Sequence, residues 1–303
     1  MGKSKKKKKT LSHGRPPTFR KPEASLSSKA TRTLIRSHHQ LQKAHAKAVR
    51  EGDVTTAAAI EREIEEQGGI KSYQKASITG QSIERGGDSS RVLMKWLDPV
   101  MSSTVPNGAN GDHVDGSKTE KLKLLEVGAL STSNACSRSP LFNVTRIDLN
   151  SQGPGIKQQD FMERPLPASN DERFDIISLS LVINYVPDAA ERGEMLRRTR
   201  SFLRSDSDSA GERSTEKNHT RLFPSLFLVL PAPCVTNSRY VDEARLTRIM
   251  ESLGYELTKR KLSAKLAYYL WKYNGHVPKM RAAFPKAEVN PGKTRNNFTI
   301  VLR

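Results

Sequence analysis

The segment that most constrains the fold is an apolar run that ends in a glycine, followed by a second apolar run that ends in an aspartate. The first run is 123–127 with Gly128 directly behind it, and the second is 144–147 followed by Asp148. Gly128 and Asp148 are twenty residues apart, the separation that a Rossmann-type unit places between its cofactor turn and its ribose-binding acid. A glycine permits a close backbone approach, and a carboxylate accepts from both ribose hydroxyls. The pattern predicts a site for an adenosine-containing cofactor.

Strand and helix patterns alternate along the chain behind this segment. Strands are predicted at 122–127, 143–147, 174–180, 225–230, 266–273 and 297–302, and helices at 189–203 and 242–253. This alternation predicts an α/β fold with a mostly parallel sheet covered on both faces. No helical pattern separates the last two strands, so we expect them to form an antiparallel pair. A parallel sheet that ends in such a pair distinguishes the methyltransferase variant of the Rossmann fold from the nicotinamide-binding variant.

The net charge of the chain is concentrated at its two ends. Residues 1–50 hold 15 Lys and Arg against one acid, or +14; residues 51–250 hold 25 against 28, or −3; residues 251–303 hold 11 against 3, or +8. Basic ends on a near-neutral middle favour a polyanionic partner, most commonly nucleic acid. No apolar residue interrupts Lys5 to Lys9, so this run favours a nuclear or nucleolar signal over membrane binding, with a solvated tail as the alternative.

Three regions are predicted from these patterns. Residues 1–26 form a disordered basic tail, residues 27–98 form a helical RNA-binding extension, and residues 99–303 form the cofactor-binding domain. Within the extension, helices are predicted at 27–50, 54–67 and 89–97, whereas 101–119 and 204–220 are predicted loops. The first helix carries His38, His39 and many basic side chains, which suits a phosphate backbone. No carboxylate or cysteine completes a metal site with the histidines, so no metal is expected.

Cysteine content and hydropathy indicate the compartment. Cys136 and Cys234 are the two cysteines of the sequence, too few for a disulfide framework or a four-cysteine metal site. The charged N-terminus has no apolar segment behind it, unlike a signal peptide, and no run of about 18 apolar residues is present. We expect an intracellular monomer that does not bind membranes.

Four segments, in order, resemble a class I S-adenosyl-L-methionine-dependent methyltransferase. They are 124–131, 146–150, 159–161 and 174–186. More narrowly they resemble the fungal nucleolar family that methylates N1 of an adenine in 25S ribosomal RNA, and the lysine-rich start and 27–50 fit that family too. The chain departs from the generic pattern because no second or third glycine follows Gly128. A dinucleotide needs those glycines near its pyrophosphate, whereas S-adenosylmethionine has no phosphate, so the departure counts against a nicotinamide cofactor.

The resemblance implies a cofactor-binding role for four residues. Gly128 lets the backbone lie against the methionine portion, with a plain strand-ending turn as the alternative. Asp148 binds the ribose hydroxyls, with a solvated strand end as the alternative. Glu126 either orients the amino group, directly or through water, or only organises the loop. Asp160, next to Phe161, resembles the acid that accepts from the exocyclic amine of the cofactor's adenine, with a plain surface acid as the alternative.

The resemblance places the acceptor base at the turn behind the strand at 176–183. The resemblance implies that Asn184 hydrogen-bonds the edge of the target adenine and that Tyr185 stacks on its face. An ordinary strand-to-helix turn is the alternative. The aromatic run 268–273 either stacks on RNA or belongs to the core of the sheet.

We therefore expect an enzyme of the nucleolus that forms 1-methyladenosine in 25S ribosomal RNA, either free or within a pre-60S particle. The first alternative is a non-catalytic protein that senses S-adenosylmethionine or binds ribosomal RNA. Residues of a cofactor loop do not separate these two hypotheses, because binding and catalysis share them. A protein methyltransferase is a third alternative, but a lysine or arginine substrate favours an acidic cleft, and both ends of this chain are basic.

Overall fold

Helices form the first part of the molecule, and a twisted sheet with its covering helices forms the rest. The computed structural model describes residues 27–80, 88–102, 121–151, 153–204, 222–277 and 282–303. The α-helices are α1 (Ser28–Glu51), α2 (Val54–Glu66), α3 (Gly69–Gly80), α4 (Ser90–Ser102), α5 (Ala135–Arg138), α6 (Ala189–Phe202), α7 (Pro233–Thr236) and α8 (Glu243–Ser252). The strands are β1 (Leu122–Val127), β2 (Phe142–Asp148), β3 (Lys157–Gln158), β4 (Ile176–Ser180), β5 (Ser225–Pro231), β6 (Tyr255–Leu262) and β7 (Leu266–Tyr273). The predicted tail at 1–26 and most of the predicted loops at 101–119 and 204–220 lie outside the described residues.

Within the described residues, seven strands form one sheet in the order β3-β2-β1-β4-β5-β7-β6. Strands β1 to β5 run parallel, and β7 is antiparallel to both β5 and β6. The predicted fold class, a mostly parallel α/β sheet with an antiparallel pair at one end, is thereby confirmed. The strand order reverses between β1 and β4, and the carboxyl ends of strands beside such a switch point are where open α/β sheets bind ligands.

The pair that closes the sheet differs from the predicted one. Residues 297–302 are not a strand, and β6 pairs with β7 instead. Phe298, Ile300 and Leu302, the apolar positions with a period of two, are all buried in the main core, and Thr299 between them is buried as well. Their backbone, however, lies against α6, where the Val301 N–H donates to Ala189 O at 2.9 Å. An extended segment packed on a helix therefore produced the same alternation as a strand.

Both faces of the sheet are covered. Leu93 and Leu97 of α4 are fully buried in the cluster on one face, and α6 and α8 contribute Leu196 and Ile249 to the cluster on the other. The aromatic run 268–273 belongs to the sheet, since Tyr268, Tyr269 and Trp271 are all buried; of its two interpretations, sheet core is correct for these three residues. Burial on this scale is the main term that holds such a domain together.

The first two predicted helices are present within a residue or two of their predicted ends. Ser27 caps α1 by accepting from the Ala30 N–H at 3.1 Å, and Asp53 caps α2 by accepting from the Thr56 N–H at 3.0 Å. Both are preferred N-cap residues. Helix α3 lies in a stretch, 70–88, where the sequence predicted no element. The division of the chain at residues 26 and 98 stays a prediction. None of the described helices is long and apolar enough to cross a membrane.

Candidate active site

The turn behind β1 is built for a close backbone approach. Gly128 has φ +74°, and its N–H donates to Ile147 O at 2.9 Å, which holds the turn against β2. A Cβ at this position would lie 2.7 Å from Cγ2 of Val182, in the loop behind β4. Glycine is required here for two reasons, since L side chains disfavour this backbone conformation and the space is already filled.

The Glu126 carboxyl is buried on β1 with only one of its oxygens paired. Oε1 accepts from Nδ2 of Asn134 at 2.6 Å, and Asn134 also caps α5. Oε2 has no hydrogen-bond partner among the described residues. Burial raises the pKa of Glu126 to about 7, against the opposing effects of the Asn134 hydrogen bond and nearby Arg146. An unpaired buried carboxylate oxygen is costly, and a cationic ligand group would satisfy it.

Asp148 ends β2 and receives a hydrogen bond from an N-terminal helix. Its Oδ1 accepts from the Asn150 N–H at 2.8 Å and from Nε2 of Gln74, on α3, at 3.3 Å. Gln74 also donates to Asn150 O and accepts from Asn150 Nδ2, each at 2.8 Å. Burial raises the pKa of Asp148, although both hydrogen bonds oppose the shift. The helical extension thus contacts the predicted ribose-binding acid directly.

Asp160 follows β3, one strand beyond β2. The Gln159 N–H donates to Asp148 O at 2.9 Å, which ties the two segments together. Oδ1 of Asp160 accepts from the Met162 N–H at 2.7 Å, and the Asp160 side chain is half-buried. Phe161 beside it is buried and packs on Phe202 with ring centroids 5.2 Å apart. Phe161 is thus a core residue, and the adenine-binding role of Asp160 stays a prediction.

Asn184 and Tyr185 lie in the turn between β4 and α6, as the sequence predicted, and their roles stay predictions. Asn184 Oδ1 is buried without a hydrogen-bond partner in the described parts of the chain, and the Tyr185 hydroxyl is buried beside the phenol of Tyr73. Burial and the neighbouring phenol of Tyr73 raise the pKa of Tyr185 far above its ordinary value. The backbone just before this turn is unusual, since Leu181 has φ +60°, a conformation that is rare for a branched side chain. Backbone of this kind clusters at functional sites.

The histidines of α1 face the protein rather than solvent. His38 is 4% exposed, and the ring of His39 meets that of Tyr185 edge-on with centroids 4.4 Å apart. Tyr73 lies 4.9 Å from His38 and 4.6 Å from Tyr185 by ring centroids. The ring of His38 is buried and the ring of His39 packs on Tyr185, so both contact the protein. The RNA-binding role of the basic first helix stays a prediction.

The sequence did not identify Tyr73 or Gln74, which α3 brings to the site. For His38 and His39, the one sequence feature that could have indicated a role in the site was their pairing in a helix that offers no other metal ligands. No sequence pattern pointed to Gln74, because a glutamine between Lys71 and Lys75 is typical of an ordinary solvated helix. A salt bridge of 2.9 Å between Arg50 and Asp188 also joins α1 to the start of α6. Only the folded chain reveals that α1 and α3 close over the ends of β2 and β4.

The site fits S-adenosyl-L-methionine. Glu126 has an unpaired buried oxygen that suits a cationic amino group, Gly128 carries no side chain at the turn, and Asp148 has a half-buried carboxylate at the end of the neighbouring strand. Phosphate-binding features are not needed for this cofactor, and a single glycine at the turn is sufficient. The strand order, the switch point and these three residues define a class I methyltransferase that uses S-adenosyl-L-methionine.

Comparison with known families identifies the group within that class. The family model described as Bmt2, 25S rRNA (adenine(2142)-N(1))-methyltransferase, matches residues 58–300. The chain belongs to this family. It is 38% identical over 268 residues to the 25S rRNA adenine-N(1) methyltransferase of Schizosaccharomyces pombe, covering 88% of this chain and 89% of that protein. It is 35% identical over 269 residues to the 25S rRNA (adenine(2142)-N(1))-methyltransferase of Saccharomyces cerevisiae, covering 87% and 70%.

Solved structures offer more distant likenesses. The magnesium protoporphyrin IX methyltransferase of Synechocystis PCC 6803, crystallised with S-adenosylmethionine, covers 66% of this chain and 84% of its own, with a TM-score of 0.35 and 10% identity. An rRNA methylase from Escherichia coli covers 80% and 77%, with a TM-score of 0.34 and 13% identity. Likenesses this distant say nothing further about this chain.

Proposed function

We propose that this chain transfers the methyl group of S-adenosyl-L-methionine to N1 of an adenine in 25S ribosomal RNA. The observation that carries the proposal is the meeting of two groups of residues at one edge of the sheet, in a chain that belongs to the Bmt2 family. Glu126, Gly128 and Asp148 form the cofactor side. Asn184 and Tyr185, behind the adjacent strand β4, form the acceptor side.

The roles on the cofactor side follow from charge and space. When bound, S-adenosyl-L-methionine supplies an electrophilic methyl group on a positively charged sulfur. Glu126 holds the amino group through Oε2, and the backbone at Gly128 lies against the methionine portion. Asp148 accepts from the ribose hydroxyls, and Asp160 accepts from the exocyclic amine of the cofactor's adenine. These groups bind and orient without taking part in bond making.

The acceptor side needs no general base. The lone pair on adenine N1 forms the new bond to the methyl carbon while the sulfur–carbon bond breaks, and that electron pair stays on sulfur. No proton moves, and the positive charge passes to the base. The chain contributes by holding N1 in line with the methyl group and by excluding water. Asn184 hydrogen-bonds the base edge, and Tyr185 stacks on the base.

N1 lies on the pairing edge of adenine, so the target base must be unpaired or flipped out of a helix. Flipping costs a few kcal/mol and least for a single-stranded base. The +14 of residues 1–50 and the +8 of residues 251–303 supply sequence-independent contacts to the RNA backbone. We further propose that the chain acts as a monomer in the nucleolus, on 25S ribosomal RNA that is either free or within a pre-60S particle. The run Lys5 to Lys9 supports the nucleolar localisation.

The test is transfer by the purified full chain to unmodified 25S ribosomal RNA, followed by mass spectrometry of the nucleosides. We expect one new 1-methyladenosine. An Asp148→Asn variant should lose at least tenfold in activity because the ribose loses an ionised acceptor, whereas Asp171→Asn, at an exposed acid that is not part of this site, should match the wild type. A wild-type protein that binds S-adenosylmethionine but forms no 1-methyladenosine would favour the sensor alternative.

A further inference from the structure

Four aromatic rings from three separate segments converge behind β4. His38 and His39 come from α1, Tyr73 from α3, and Tyr185 from the turn that carries Asn184. Ring centroids within the group lie between 4.4 and 6.1 Å apart. Two of the three segments, α1 and α3, belong neither to the sheet nor to the helices that cover it.

The same place collects buried polar atoms that have no partner. They are Nε2 of His38, Nε2 of His39 and, in the residue next to Tyr185, Oδ1 of Asn184, as far as the described residues go. Native proteins pair nearly all such atoms. One unpaired atom in a core is an isolated cost, but three on the rings and in the adjoining turn match the needs of a polar, flat ligand. Aromatic faces and inward hydrogen-bonding groups are the surroundings that flipped bases receive.

The charge state of His39 makes it a hydrogen-bond acceptor. Burial, with Lys43, His38 and Arg192 nearby, lowers the pKa of His39 to about 4, so its imidazole is neutral at physiological pH. A neutral imidazole has one accepting nitrogen; with the proton on Nδ1, that nitrogen is the unpaired Nε2. The adenine amine has two N–H donors, and two unpaired acceptors, His39 Nε2 and Asn184 Oδ1, are present. Guanine carries a carbonyl oxygen at that position and would leave both acceptors unpaired.

We propose that His39 of α1 and Tyr73 of α3 complete the pocket for the target adenine, so that base recognition is shared between the N-terminal helices and the turn behind β4. The proposal rests on the proposed function above. Tyr73 and Tyr185 contact the base faces, and His39 and Asn184 accept from its exocyclic amine. Ring–ring contacts of the present cluster are then exchanged for ring–base contacts of the same kind.

This arrangement assists transfer as well as recognition. As N1 gains the methyl carbon and the sulfur–carbon bond breaks, the base becomes positively charged and its amine protons become stronger donors. Acceptors on that amine therefore bind the transition state more strongly than the ground state, which is the condition for rate acceleration. Aromatic faces also attract a cationic ring.

The proposal is tested by a double-mutant cycle, in which one change is made in the enzyme and the other in the target base. Methyl transfer is measured on an RNA fragment with adenine at the target and on one with purine, which lacks the exocyclic amine. The wild-type protein is compared with His39→Ala, Tyr73→Ala, Tyr73→Phe and the matched control His45→Ala, from the same helix but outside the cluster. Affinity for S-adenosylmethionine and thermal unfolding are measured in parallel for every variant.

We expect kcat/KM on adenine RNA to fall about 100-fold in His39→Ala and about 30-fold in Tyr73→Ala, with S-adenosylmethionine affinity within threefold of the wild type. The control His45→Ala should match the wild type, and Tyr73→Phe, which keeps the aromatic ring, should lose less activity than Tyr73→Ala. The preference for adenine over purine should shrink about tenfold in His39→Ala, an effect that general loss of fold would not produce. An unchanged preference in His39→Ala, or full activity in Tyr73→Ala, would overturn the proposal while leaving the proposed function intact. Failure of the wild-type protein to methylate adenine RNA would instead overturn the proposed function.

Discussion

Glu126 shows how one buried carboxyl connects cofactor binding to pH. Its pKa of about 7 means that the carboxyl is largely protonated in slightly acidic solution. A cationic amino group on Oε2 would favour the ionised form and lower that pKa. Binding should therefore release a proton below about pH 7, and affinity should rise with pH until about 7 and level off above it.

Calorimetry of S-adenosylmethionine binding in buffers of different ionisation enthalpy measures this proton. We expect release approaching one proton near pH 6 for the wild type and none from this site in Glu126→Gln. Equal proton counts for both proteins would mean that Glu126 only organises the loop with Asn134, which is the other role that the sequence left open.

Gly128 is the second residue whose role is decided by local geometry. An alanine there would hold an L side chain in the left-handed region, at about 1–2 kcal/mol, and would also meet Val182 at 2.7 Å. We expect Gly128→Ala to weaken S-adenosylmethionine binding at least tenfold in equilibrium dialysis. The matched control is Gly153→Ala, since a Cβ at Gly153 meets no atom within 4 Å. Equal loss in both variants would contradict the close-approach argument.

At the scale of elements, α3 links the extension to the cofactor site through one side chain. Gln74 bonds to Asp148 and Asn150, so removing its amide should let the Asp148 carboxyl move. A hydrogen bond of about 1 kcal/mol corresponds to a fivefold change in affinity. We expect Gln74→Ala to weaken S-adenosylmethionine binding about fivefold by calorimetry, while Gln40→Ala, on the exposed face of α1, leaves it unchanged. Tighter binding in Gln74→Ala would show that Gln74 competes with the ribose.

The ring cluster is closed in this structure, so a base that enters it must replace ring–ring contacts. Each aromatic pair is worth about 0.5–1.5 kcal/mol beyond its buried area, and stacking of a base on an aromatic side chain is worth roughly 1–3 kcal/mol. A base that stacks on both Tyr73 and Tyr185 therefore recovers at least the free energy of the one contact between those two rings. Among the described residues, the polar contacts that hold α1 and α3 at this edge include the Arg50–Asp188 pair, worth at most about 1 kcal/mol, and the hydrogen bonds of Gln74.

The strands of the sheet could be predicted from the sequence more accurately than the residues that surround the site. β1 and β7 have their predicted bounds, because buried apolar runs and turn signals are local properties. Residues 297–302 were misassigned because a period of two also arises in an extended segment packed on α6. Tyr73 and Gln74 were missed because their importance comes from long-range contacts of α3 with Tyr185 and Asp148, which no local pattern records.

Over the whole molecule, the basic charge determines how tightly RNA binds, whereas it takes no part in methyl transfer. Each lysine that contacts a phosphate of single-stranded RNA contributes about 0.7 to the slope of log affinity against log salt. Replacing Lys5 to Lys9 by glutamine should thus reduce the slope by up to about 3.5 in filter-binding titrations, with S-adenosylmethionine affinity unchanged. Lys95→Gln, a single exposed position on α4, should change the slope by less than about 1. If the variant with all five lysines replaced showed the same salt dependence as the wild type, this run would not contact RNA.

Nucleoside mass spectrometry of 25S ribosomal RNA from cells with and without this gene tests most directly whether this chain forms 1-methyladenosine. We expect one 1-methyladenosine to disappear on deletion and to return with the wild-type gene, but not with an Asp148→Asn gene expressed at the same level. A nucleoside profile that is identical in both strains would contradict the claim that this chain is the methyltransferase.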